Sequence, residues 1–336
     1  MTDRIHDPTT QDLADRAAQL IRRAGPIVAI THTAPDADAI GGLLGLTLAL
    51  RPTGIDVIPA CSDAVPARFK TLPGYDRIVD RVDTLPDLLI TLDCGDRERM
   101  GPLIALPEWQ AIPILNIDHH VTNTRFGSVN WVDVQATATC EIVLTLIDDL
   151  RIPLTSDIAV NLLYGIVGDT LGFRTPHTTP HAMECAMRLM SAGANLSEIM
   201  DNLFNRRPLA MISLWALALG AMRIEPAVAS DRARVIWTKI SGAARRAAGA
   251  AELGNNGLSS FLVSADEADV AAVIAEQDDG KIEISLRGKP GFDVSQAAML
   301  LGGGGHAPAA GATIPGPLDA AVQHVLAVLK SIRRSD

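Results

Sequence analysis

Four short segments in the first half of the chain carry carboxylates and imidazoles where an apolar run stops or a helical run begins. They are "THTAPDADAIGG" with His32, Asp36 and Asp38, "TLDCGD" with Asp93 and Asp96, "IDHH" with Asp118, His119 and His120, and "GIVGDT" with Asp169. Brought together without a partner, six aspartates and three imidazoles would repel and lose hydration, which forces protonation or shifts their pKa values. Divalent cations remove that difficulty. Asp/His sets without thiolates suit Mn²⁺, with Mg²⁺ as the harder alternative, better than structural zinc with its Cys-rich tetrahedra. So many carboxylates point to two ions sharing a bridging group. Two ions about 3.5–4 Å apart are the usual arrangement for phosphoester hydrolysis, where they acidify a bridging water and stabilise the attacking and leaving oxygens.

Each segment taken alone has a plainer explanation. Asp-Ala-Asp before a helix is often N-capping and favourable dipole placement. Asp93 can cap a turn, Asp169 can serve the polar face of a helix, and a double histidine after a strand is more often surface or satisfied core. Their joint occurrence, each at a strand end or beside a glycine, is much harder to attribute to capping.

The segments need a scaffold that gathers them. "DLADRAAQLIRRA" has helical spacing with late basic residues, and Gly25-Pro26 ends it before the β-rich "IVAITH". Strand-like "IDVIPAC", "DLLITLDC" and "IPILNIDHH" then alternate with helix-like runs at "AIGGLLGLTLAL" and "ATCEIVLTLIDDL". Such alternation predicts an α/β fold with a parallel sheet and helices on both faces, in which ligands bind beyond the carboxyl ends of the strands. Further helices are expected in "SDIAVNLLYGIVGDTLGF" and "TPHAMECAMRLMSAG". The catalytic domain is expected over 1–195, a helical connector over 196–228, and a smaller α/β domain with a mixed sheet over 229–336. In that last part "RARVIWTKI", "DVAAVIAEQ" and "KIEISLRGK" read as strands, and "DVSQAAMLL" and "LDAAVQHVLAVLKSI" as helices.

Composition narrows the partners. With 336 residues and 48% hydrophobic content there is material for two ordinary cores. No apolar run reaches membrane-spanning length and the start lacks a secretory pattern, so a soluble, cytoplasmic protein is expected. The four cysteines Cys61, Cys94, Cys140 and Cys185 stand singly, which suggests buried thiols rather than disulfides or a zinc ribbon. A net charge of −10 argues against a long basic groove for duplex DNA and leaves room for a short anionic ligand at a metal-bearing site.

The four segments, in this order, resemble the motifs of the DHH phosphoesterase superfamily. The second half adds "SLRGKPGFDVSQAAMLLGGGGHAPAAGAT", similar to the signature of the DHH-associated substrate-binding domain, and the pairing most resembles the nanoRNase/pAp phosphatase group. The resemblance implies that His32, Asp36 and Asp93 hold one Mn²⁺ and Asp38, Asp93, His119 and Asp169 the other, with Asp93 bridging and Mg²⁺ or Co²⁺ as substitutes. It leaves His120 for the scissile phosphate and Asp118 to orient an imidazole. It implies that Arg287, His306 and the glycines Gly302 to Gly305, Gly303, Gly304 and Gly305 above all, grip a substrate phosphate. The implied substrates are nanoRNA, pAp, or cyclic and linear dinucleotides, and family habit implies a homodimer. Motif one departs from the family at Gly42, where a hydroxyl is usual. Arg97, Arg99, Phe173 and Arg174 lie where contact with substrate is conceivable, beside the plainer readings of surface ion pairs and core.

Three rivals are weighed against this. A related inorganic pyrophosphatase would lack "GGGGHAPAAG". A processive exonuclease would carry extra domains and an aromatic-lined basic channel, against 4% aromatics here. A non-catalytic nucleotide sensor would be expected to have lost a ligand, and all six are present.

Overall fold

The computed structural model describes residues 9–104, 107–250 and 257–334. The chain begins with α1 (Thr10–Arg23), started by a capping box in which Thr9 and Asp12 satisfy each other's backbone N–H groups. There follow β1 (Ile27–Thr31), α2 (Ala37–Leu50), β2 (Val57–Ala60), β3 (Leu88–Leu92), β4 (Ile114–Asp118) and β5 (Val129–Val132). Then come α3 (Thr139–Asp149), α4 (Ser156–Asp169), α5 (Pro180–Ser191) and α6 (Leu196–Met200).

The five strands form one parallel sheet in the order β2-β1-β3-β4-β5. Every residue of β1, β3 and β4 is buried. That is why these runs are apolar throughout rather than alternating: they are central strands with no face left to water. One face carries α1 to α5, packed on Ile27, Ala29, Ile90, Leu115 and Ile117. The opposite side chains Val28, Ile30, Leu89 and Ile114 pack on Met100, Ile104 and Trp109, so there the covering helices are the short 3₁₀ turns of Glu98–Ile104 and Pro107–Ala111. Strand order reverses between β1 and β3, and such a switch point leaves a crevice beyond the carboxyl ends.

Helices α2 and α4 approach unusually closely, and glycine is the reason. A Cβ on Gly41 would lie 2.5 Å from the Asn161 carbonyl oxygen, and one on Gly45 would lie 2.5 Å from Leu162 Cδ2. On the facing helix, a Cβ on Gly165 would strike Cys140 Sγ and lie 2.7 Å from Asp38 Oδ1, and one on Gly168 would strike Ala37. The seam sets the start of α2, with Asp38, against the end of α4, with Asp169.

The chain divides into compact units Met1–Arg206 and Arg207–Asp336, a break that falls inside the stretch 196–228. That stretch is not helical throughout: helices cover Leu196–Met200 and Leu209–Gly220, the latter packing Leu214 and Ala218 into the second unit's core, and Arg223–Glu225 is a strand of that unit's sheet. After α6 and a π turn over Asp201–Asn205, Arg206 goes extended and ends the helix, and Pro208 stands immediately before the next one. The second unit opens with α7 (Leu209–Gly220), β6 (Arg223–Glu225), β7 (Val235–Ile240), α8 (Gly242–Ala247) and α9 (Leu258–Val263). It continues with β8 (Val270–Glu276), β9 (Lys281–Gly288), α10 (Ser295–Leu300), β10 (Gly304–His306), β11 (Ala309–Pro315) and α11 (Leu318–Leu329). Its six strands are ordered β10-β11-β9-β8-β7-β6, with β7 and β8 parallel and the other pairs antiparallel. Among the described residues, no helix is long and apolar enough to cross a membrane.

Candidate metal centre

The crevice collects all four segments. His32 follows β1, Asp93 follows β3, and Asp118 closes β4 with His119 and His120 just beyond. Asp36 and Asp38 start α2, and Asp169 ends α4. His32 Nε2 lies 3.5 Å from Asp93 Oδ2 and 3.9 Å from Asp36 Oδ1. His119 Nε2 lies 3.2 Å from Asp169 Oδ2, 3.6 Å from Asp93 Oδ1 and 4.0 Å from Asp38 Oδ2. Asp93 therefore presents one oxygen to each group.

Capping accounts for part of this. Asp36 Oδ1 accepts the N–H groups of Asp38 and Ala39, each at 3.1 Å, and so is the N-cap of α2. Asp38 sits in the first helical turn, where a negative charge is favoured. Asp169 has no such excuse: it is the last residue of α4, the end at which the helix dipole repels a carboxylate. Asp93 is equally hard to explain structurally. It is fully buried and takes a left-handed backbone with φ 61°, a conformation outside glycine that costs about 1–3 kcal/mol and persists where the surroundings enforce it.

The electrostatics show a centre short of positive charge. Burial, together with Asp169 and Asp93, holds the Asp38 carboxyl well above its ordinary value. Two backbone donors from the start of α3 oppose this, Thr139 N–H at 2.5 Å and Cys140 N–H at 3.0 Å. Burial, with the charges of Asp93 and Asp36, lifts Asp169 to about 6. Burial works against the His119 imidazolium, yet Asp169, Asp38 and Asp93 outweigh it and push this group up to about 10. Asp93 goes the other way: burial opposes its charge, but His32, His119 and His120 hold it below the ordinary carboxylate value.

The donor atoms fit a cation. His119 Nδ1 lies 3.3 Å from the Ala136 carbonyl, which keeps a proton there and makes Nε2, aimed at the carboxylates, the nitrogen that can ligate once the ring is neutral. That Nε2 is sealed from solvent and makes no hydrogen bond of proper geometry, although Asp169 is near. A buried, unpartnered imidazole nitrogen facing three carboxylates is an expensive arrangement for a protein alone and an ordinary one around a divalent ion. His32 Nδ1 lies 2.7 Å from the Thr33 carbonyl, an acceptor, and 3.1 Å from Arg99 Nη2, a donor, while its Nε2 faces the carboxylates of Asp93 and Asp36.

His120 stands apart. Its Nδ1 is 2.8 Å from Asp118 Oδ1, a contact that raises its pKa despite burial, and its side chain is 39% exposed. Asp118 is held by His119 N–H at 2.8 Å, His120 N–H at 3.2 Å and Asn123 Nδ2 at 2.5 Å. Asn123 in turn accepts from Asn116, and Asn116 accepts from Thr91, so a polar chain runs through the sheet interior. Asn116 is visible in the sequence as the one amide inside "ILNID". Its partners Thr91 and Asn123 carry no local signal, and neither do the N–H groups of Thr139 and Cys140.

Other expected residues are placed as follows. Asp96 turns from the cluster and accepts the Arg99 N–H. Arg97 Nη2 is buried and unpartnered. Phe173 packs against the core, and Arg174 donates to the Leu171 carbonyl and lies over the Phe204 ring. In the second unit Arg287 pairs with Ala309 across β9 and β11, and Ala309 pairs with His306 across β11 and β10. Arg287 and His306 thus share one row and one face of that sheet. The glycine run has a packing reason of its own: a side chain on Gly303 would strike Gly311 and Ala312, and one on Gly305 would meet Ala310, whereas Gly304 faces open space.

Known proteins resemble this chain over most of its length. Residues 26–166 match the DHH family, N-terminal domain, and residues 242–333 match the DHHA1 domain. The chain is 34% identical over 316 residues to the bifunctional oligoribonuclease and PAP phosphatase NrnA of Thermus thermophilus, covering 91% of this chain and 90% of that protein. Its fold is similar to a solved exopolyphosphatase-related protein from Bacteroides fragilis, with a TM-score of 0.84 at 22% identity over 98% of each chain. It is also similar to exonuclease RecJ bound to manganese, with a TM-score of 0.53 at 17% identity over 96% of this chain and 94% of that one.

Proposed function

The chain belongs to the DHH family, as a DHH–DHHA1 phosphoesterase, and from that premise we propose that it hydrolyses short oligoribonucleotides and 3′-phosphoadenosine 5′-phosphate to mononucleotides. One observation carries the reading: two ligand groups, His32/Asp36/Asp93 and Asp38/His119/Asp169, meet at Asp93. In this reading each group would hold one Mn²⁺, with Asp93, which presents one oxygen to each, serving both. When bound there, such ions would supply an acidified water and a Lewis acid for the phosphoryl oxygens.

The residues do the rest. Thr139 Oγ1 donates to Asp93 Oδ1 at 3.1 Å and fixes the direction of the bridging carboxylate. The Ala136 carbonyl keeps the His119 proton on Nδ1. Asp118 keeps a proton on His120 Nδ1, so that the exposed Nε2 can donate to the leaving oxygen when the ring is charged. Arg287 and His306, with the N–H groups of Gly303, Gly304 and Gly305, bind a terminal phosphate, and a few charge-assisted contacts suffice for a substrate of two to five nucleotides. Relatedness to a protein named for both activities supports the choice of substrates.

The test offers purified protein with Mn²⁺ a five-nucleotide RNA, pAp, pApA and c-di-AMP, beside Asp93→Ala. Turnover of the RNA and pAp, abolished in the variant, is the expected result. Preference for c-di-AMP or pApA would replace the substrate assignment, and full activity in Asp93→Ala would overturn the two-cation reading.

A further inference from the structure

A second set of metal-ligating side chains lies outside the Asp93 centre. His181 and Cys185 are one turn apart on α5, with His181 Nε2 3.6 Å from Cys185 Sγ. Glu141, from α3, brings a carboxylate oxygen to them, and the three ligand atoms lie within 4.8 Å of one another. Glu141 is only 2% exposed. Its Oε1 accepts the Thr137 N–H at 2.8 Å, but its Oε2 is buried without any partner. A buried oxygen left unsatisfied costs about 1–3 kcal/mol, and nothing in the fold requires Glu141 to expose one toward α5.

We propose that Glu141, His181 and Cys185 form a separate binding site for a borderline-soft divalent cation of the Zn²⁺ class. The spacing suits such an ion: a tetrahedral centre with ordinary zinc–sulfur and zinc–nitrogen bonds sets its sulfur and nitrogen about 3.6 Å apart. Thiolate with imidazole and carboxylate favours Zn²⁺ or Co²⁺ over Mn²⁺ and Mg²⁺, so the two centres select different ions. Three protein ligands leave a fourth position for water. Access is open, because His181 is exposed and lines a cavity of about 320 Å³ with Trp131, Asp133, Gln135 and Thr179.

Binding forms a metal–sulfur bond and releases the Cys185 thiol proton to solvent, with no change of oxidation state. Burial, aided by the nearby Glu141 charge, pushes that thiol up to about 12, so the empty site holds a neutral thiol and its affinity rises with pH. The site stands independently of the activity proposed above.

Co²⁺ titrated into the Mn²⁺-loaded protein is the probe, since a thiolate-to-cobalt charge-transfer band reports sulfur ligation and none of the Asp93-centre ligands carries sulfur. One equivalent of Co²⁺ per chain is expected to produce the band, and Zn²⁺ to bleach it. Cys185→Ser should abolish it, Cys61→Ser should leave it, and His181→Ala, at an exposed position that folding tolerates, should weaken Co²⁺ binding at least tenfold. Absence of the band in the wild type, its survival in Cys185→Ser, or unchanged affinity in His181→Ala would each overturn the site.

Discussion

Asp118 Oδ1 lies 2.8 Å from His120 Nδ1, and the same oxygen accepts the backbone N–H of both histidines. One carboxylate thus sets the turn of the chain and the charge of the ring. If His120 acts as a proton donor, activity falls as pH rises through its pKa. Asp118→Asn removes the charge that raises this pKa, so the alkaline limb of the pH–rate profile should move to lower pH, with kcat down about 100-fold. Metal content, measured by elemental analysis, should stay at the wild-type value. An unmoved alkaline limb would exclude His120 as the donor.

Cation binding should release protons. His119, pushed up to about 10, carries a proton near neutrality that it must lose to become a ligand, and Asp38, held well above its ordinary value, keeps its proton more tightly than a free carboxyl does. Calorimetric titration of Mn²⁺ in buffers of different ionisation enthalpy at pH 7.5 should show net proton release, and affinity should rise from pH 6.5 to 8.5. A pH-independent affinity would mean that these groups are not ligands.

Asp169 should trade stability for function. For a carboxyl raised from 3.8 to about 6, the folded state binds more protons than the unfolded chain between those values, so stability falls as pH rises through that window and stays reduced above it. Asp169→Asn, free of this handicap, should melt higher than wild type in chelator at pH 8 while losing at least 100-fold in Mn²⁺-dependent turnover. The melting advantage should shrink toward pH 4. A variant that melts lower at pH 8 would show that Asp169 is structural.

The glycine seam gives a contrast between two alanines. Gly165→Ala drives a methyl against Asp38 and Cys140, and overpacking of this kind costs about 1–3 kcal/mol. It should lower both the melting temperature and Mn²⁺ affinity. Gly220→Ala, at the end of α7 with nothing within 4 Å and no left-handed backbone, should be neutral or slightly stabilising. Equal effects of the two would mean that the α2–α4 contact is not tight.

How much was legible follows from where each signal resides. "IVAIT", "LLITL" and "ILNID" were readable as inner strands because full burial removes alternation, and the polar residues after them marked the crevice. β5 was not, since "VNWV" alternates over only four residues. The carboxylates and imidazoles that gather in the crevice were legible as types at strand and helix ends. What supports them was not: Thr139, Cys140 and Ala136 act through backbone groups, which any side chain can carry. The run Gly302 to Gly305 announced close backbone approach, and at Gly303 and Gly305 the missing side chains leave room for β11, a packing role that exists beside any the N–H groups have toward an anion. Likewise Glu141 carried no signal of its own within the helical run "ATCEIVLTLIDDL", because its neighbours His181 and Cys185 lie some forty residues on.

The meeting of α2 and α4 through glycine also fixes a dimension. Asp38 and Asp169 stand on facing helices within one of the two candidate groups. The interval between the backbones that carry these two carboxylates is therefore set by helices in close approach, in the way a gauge block sets a gap. Lengthening one side chain, as Asp→Glu would, moves one carboxylate and leaves that interval alone. Changing the interval requires two backbones to part.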